Sequence, residues 1–71
     1  MLVPVENAQI RGLQDIDATF INTDMIVTIS VNDAGNYKWC QITMINGVKL
    51  NLTMESFEKI MESMIENEKK A

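Results

Sequence analysis

Trp39-Cys40-Gln41-Ile42-Thr43-Met44-Ile45-Asn46-Gly47-Val48-Lys49-Leu50-Asn51-Leu52 is the stretch on which the fold turns. From Val48 to Leu52, apolar and polar side chains alternate strictly, the pattern of a strand with one buried and one wet face. Asn46-Gly47 ahead of it signals a hairpin, because both residues tolerate positive φ. Two registers are open. A two-residue turn sets Ile45 opposite Val48 and places Trp39 and Ile45 on the face of Leu50 and Leu52. A three-residue loop, Ile45-Asn46-Gly47 with a left-handed Gly47, sets Met44 opposite Val48. Cys40, Ile42, Met44, Val48, Leu50 and Leu52 then form one apolar face. The second gathers more aliphatic side chains and is the register expected. It leaves Tyr37, Trp39 and Ile45 on the opposite face.

Downstream, Met54, Phe57, Ile60, Met61, Met64 and Ile65 recur at spacings of three and four, which predicts an amphipathic helix over residues 53–68 with 69–71 as a tail. Thr53 is a natural N-cap, and Glu55 lies in the first turn, where the helix dipole favours negative charge. Upstream, Met25 to Val31 is rich in β-branched residues and reads as a strand. Asn32-Asp33-Ala34-Gly35-Asn36 turns the chain into the strand that begins near Tyr37. Thr19-Phe20-Ile21 reads as a short strand before an Asn22-Thr23-Asp24 turn. Leu2 to Val5 fits an edge strand, which tolerates Pro4. Residues 1–18 are otherwise an N-terminal strand or loop. The expected fold is therefore α+β: one antiparallel sheet of four or five strands, in β-β-β-β-α order, with one C-terminal helix packed on one face.

With 71 residues the chain makes one domain, and a domain of that size buries only about 60% of the surface its unfolded chain exposes. Oligomerisation is the remaining route to extra burial, because a single cysteine, Cys40, cannot form an intrachain disulfide. A hydrophobic content of 46% excludes a disordered tail, and 23% charged residues exclude a membrane span. With no His and one Cys, soft-metal sites and His-based catalysis are excluded. A net charge of −4 and scattered basic residues argue against nucleic acid as a partner. A free cysteine and the lack of a signal-peptide pattern suggest the cytoplasm. No cofactor and no enzymatic activity are expected.

Asp15-Ile16-Asp17-Ala18-Thr19 spells the nucleophile motif of haloacid dehalogenase phosphatases. That chemistry needs a preceding buried strand and a doubly wound domain, which 71 residues cannot build, so an acidic turn is expected. Asn51-Leu52-Thr53 matches a glycosylation sequon but lacks a secretory context. Cys40 has no neighbouring group to lower its pKa and reads as a core residue. The methionines suit an irregular core, a self-association seam or an adaptable binding groove.

Two surfaces remain as candidate sites. Tyr37, Trp39 and Ile45 form a candidate interface on the sheet face away from the helix. Glu55, Glu58, Glu62 and Glu66 form a candidate acidic surface on the helix, either a solvated face or a contact for a basic partner.

The stretch from Thr19 to Ile65 resembles a family of small bacterial flagellar and swarming-motility proteins. The matching residues are Phe20-Ile21-Asn22, Asp24 and Ile26, then Ile42-Thr43-Met44-Ile45-Asn46-Gly47, an alternating strand and a short amphipathic helix. The chain has Thr23 where that family usually has Pro, and Ile10-Arg11-Gly12-Leu13 where it has a tight Asn-Gly turn. The resemblance implies a small non-enzymatic module and transfers no site residue. The function expected is protein–protein interaction or regulation by a domain that self-associates as a homodimer or larger assembly and binds another protein. The alternative is an acidic inhibitor of phage or mobile-element type, acting on a nucleic-acid enzyme or defence system through the glutamate row with Asp15 and Asp17.

Overall fold

The computed structural model describes residues 1–9 and 17–70, so Ile10-Arg11-Gly12-Leu13 and the Asp15-Ile16 part of the phosphatase-like pentapeptide lie outside the described residues. The fold is α+β. Strands β1 (Leu2–Pro4), β2 (Phe20–Asn22), β3 (Ile26–Asp33), β4 (Lys38–Met44) and β5 (Lys49–Thr53) precede helix α1 (Met54–Lys70), with a single 3-10 turn, Thr23–Met25, between β2 and β3. The helix thus runs two residues further than its periodicity predicts.

Instead of the single sheet expected, the strands divide into a two-stranded β1-β2 ribbon and a three-stranded β3-β4-β5 sheet, antiparallel throughout. The division begins at Asn22. Its side-chain oxygen accepts the Asp24 amide at 3.1 Å and caps the 3-10 turn. That turn separates β2 from β3, and β2 pairs with β1, with Val3 opposite Ile21. Beyond β1 the N-terminal segment changes partner. The Thr53 amide donates to the Glu6 carbonyl at 3.0 Å and the Ala8 amide to the Asn51 carbonyl at 2.9 Å, so residues 6–8 run along the outer edge of β5.

The β4-β5 hairpin takes the three-residue loop. Ile42 faces Leu50, Cys40 faces Leu52, and Met44 and Val48 bond across the loop at 2.8 Å. Gly47 sits at φ 87°, where a Cβ is disfavoured. The Asn46 side chain accepts the Val48 amide at 3.1 Å and holds the loop.

The core lies between the three-stranded sheet, the β1-β2 ribbon and the helix. Val3, Val5, Ile21, Cys40, Ile42, Leu50, Leu52 and Ile60 are buried in it. Thr53 caps the helix, its hydroxyl accepting the Ser56 amide at 3.2 Å. Ser56 is itself buried, and its hydroxyl accepts the Glu6 amide at 2.7 Å, tying the first helical turn to the N-terminal segment. The helix packs mainly on β1, β4, β5 and the 3-10 turn, which leaves β3 at the margin of its footprint.

Candidate functional site

The alternation of β4 sends Trp39 and Gln41 to the sheet face away from the helix, opposite Thr53 and Asn51 of β5. The Trp39 indole N–H donates to the Asn51 side-chain oxygen at 3.1 Å, and the Gln41 amide donates to the same oxygen at 3.3 Å. Tyr37 stacks on Trp39 with ring centroids 6.0 Å apart. Tyr37 is 41% exposed and Trp39 half-buried, so this pair is a partly engaged surface with a satisfied polar edge. Ile45 does not join them. It lies in the hairpin loop, about 20 Å along the strand from Trp39 at ~3.3 Å per residue.

Ile45 belongs to a different surface. It is 70% exposed and lines a shallow apolar concavity with Phe20, Met25, Met44 and Val48. Phe20 is 61% exposed although its neighbour Ile21 is buried, because β2 is two-sided and only Ile21 faces the core. Sequence reading missed Phe20 and Met25 here. Both precede or follow strand residues in a way that suits burial, and only the β1-β2 pairing shows which side is outward.

A second apolar groove runs between β3 and the helix. Ile26, Val27, Ile29 and Val31 form its strand wall, and Phe57, Met61, Met64 and Ile65 its helix wall. The groove exists because the helix is rotated relative to its own apolar arc. Among its described residues the buried ones are Ser56, Ile60 and Ser63. At 3.6 residues per turn, the centre of the apolar set is turned roughly 100° from the centre of that trio. Small serines let the helix approach the sheet and the β1-β2 ribbon, while Phe57, Met61 and Ile65 swing toward β3.

The remaining sequence candidates are separate from these surfaces. Glu55, Glu58, Glu62 and Glu66 are all exposed on the outer side of the helix. Asp17 is exposed and lies in irregular structure. Cys40 is fully buried, and that burial pushes its thiol pKa up, which favours the protonated, unreactive form. Among the described residues no group of three or more Cys, Asp or Glu side chains is placed to hold a metal ion. No helix is long and apolar enough to cross a membrane among the described residues.

No family model, no curated protein and no solved structure matches the chain.

Proposed function

We propose that the chain is a non-enzymatic protein–protein interaction module that self-associates and holds a partner protein on apolar surface. The observation that carries this reading is the apolar concavity at the hairpin end, where Phe20 and Ile45 are 61% and 70% exposed on a domain of 71 residues. Exposed apolar groups gathered in one concave patch, rather than scattered, mark interaction sites. A few well-packed side chains near the centre of such a patch supply most of the binding energy at protein interfaces. The Tyr37–Trp39 pair supports a smaller share of contact, since Trp39 already has its N–H bonded within the fold. The reading also fits the implication of the flagellar and swarming-motility resemblance.

The test is a photo-crosslinking side chain at Ile45, with one at Glu55 as control, in cells that produce the protein. The expected result is a discrete heteromeric adduct from position 45 that disappears when Phe20→Ser is added. Absence of any heteromeric adduct, or equal yields from both positions, would sink the reading. A second reading rests on the exposed glutamate row: an acidic inhibitor of a nucleic-acid enzyme, whose complex would weaken steeply with added salt.

A further inference from the structure

We infer that the outer edge of β3 pairs antiparallel with β3 of a second copy, about a two-fold axis at Ser30, to make a continuous six-stranded sheet. This deepens the self-association part of the proposed function by naming the surface and the partner. No described residue pairs with the outer edge of β3. The Ala34 amide donates to the Tyr37 carbonyl at 2.9 Å. Alternation from that pair turns the backbone groups of Asn32, Ser30 and Thr28 toward β4. Those of Ile29, Val31 and Asp33 face the open edge. The strand is eight residues long, contains neither Pro nor Lys, and its one charge, Asp33, lies at the end, 3.8 Å from Lys38. Long edges without such blocking residues are templates for pairing.

The occupant follows from self-complementarity. With Ser30 opposite its own copy, Ile29 of each chain faces Val31 of the other on the groove side, and Thr28 faces Asn32 on the polar side. Over these central positions apolar meets apolar and polar meets polar. Moving the axis to Val31 would set the Asp33 carboxylate against Ile29. The axis at Ser30 moves Asp33 out to the strand end, opposite Val27 beside the bulge, where regular pairing stops and the carboxylate stays in solvent. The area comes near the lower limit for a stable dimer. A face as long as β3, about 27 Å at ~3.4 Å per residue, and as deep as the shortest dimension of the molecule, 18 Å, covers roughly 500 Å² before side-chain relief is counted. That is close to the ~600 Å² per partner at the lower end of stable interfaces. The pairing brings together two grooves whose helix walls are already turned toward β3.

The experiment combines Ser30→Cys and Val31→Lys in the full chain. Residues opposite each other in a non-hydrogen-bonded antiparallel pair have Cα atoms about 4.5 Å apart, within disulfide range. Ser30→Cys should therefore form a covalent dimer on mild oxidation, while the wild type, whose only thiol is buried, should not. Val31→Lys, at a position 49% exposed, should halve the solution mass without changing Trp39 fluorescence. A dimer that survives Val31→Lys and gives no disulfide through Ser30→Cys overturns β3 pairing but leaves self-association standing. A wild type that is monomeric at every concentration overturns both, and the Phe20–Ile45 patch is then judged by its own crosslinking test.

Discussion

Replacing Ser56 by Ala should cost about 1.5 kcal/mol of folding stability, although the substitution places the best helix former in a helix. The Ser56 hydroxyl accepts the Glu6 amide at 2.7 Å, lies 3.3 Å from the Glu6 carbonyl oxygen and 3.0 Å from the Thr53 hydroxyl, and is buried. Losing it leaves a backbone amide without its partner, worth about 2 kcal/mol within the usual 1–3 kcal/mol range. The higher helix propensity of Ala returns roughly 0.5 kcal/mol. In a small domain holding no more than about 3–5 kcal/mol, the net loss is a large fraction of the total. It should lower the melting temperature by about 6–12 °C. Urea denaturation followed by the fluorescence of Trp39, the single tryptophan, reads the change directly at fixed protein concentration. A parallel Thr53→Ala variant loses the cap, and the double variant should lose less than the sum, because both hydroxyls serve one network. A Ser56→Ala loss below about 0.3 kcal/mol would refute the idea that this serine joins the helix to the N-terminal segment, and strict additivity with Thr53→Ala would refute the shared hydroxyl network.

Other expectations follow from single features. Gly47→Ala should destabilise by about 1–2 kcal/mol through its positive φ alone, since a Cβ there meets nothing within 4 Å; Gly47→Asn should cost less, and equal losses would contradict the left-handed loop. The raised pKa of Cys40 favours the neutral thiol in the fold, so its contribution is complete at neutral pH. It is lost progressively as pH rises above about 8.5, where the unfolded thiol ionises. Denaturation at several pH values should show that decline in the wild type and a shallower one in Cys40→Ala. Each copy carries a net charge of −4, so two copies repel at low salt. Sedimentation at increasing salt should therefore show tighter self-association, and weakening would point to ion-pair contacts instead.

The sequence disclosed those parts of the fold that local chemistry decides. Asn46-Gly47 and the alternation from Val48 to Leu52 were enough to choose the register that pairs Ile42 with Leu50, and the spacing of Phe57, Ile60 and Met64 to locate the helix. The division into two sheets was hidden because it depends on long-range choices. The Asn22-capped turn redirects β2 to β1, and residues 6–8 leave that ribbon to join β5. The candidate surfaces were legible only in part. Tyr37 and Trp39 do stack, but Ile45 was grouped with them by face alone, without regard to its place at the far end of the hairpin. The β3 groove escaped notice because Phe57, Met61 and Ile65 have the spacing of core residues. What turns them outward is the close packing of Ser56 and Ser63, residues whose polar character gives no hint of burial.

The most direct test of the central claim is the solution mass of the wild-type chain by light scattering over a range of concentrations, with reducing agent present. Self-association through β3 gives about 16 kDa, twice the 8.1 kDa of the chain, approached as concentration rises. A mass that stays at 8.1 kDa at every concentration would contradict it.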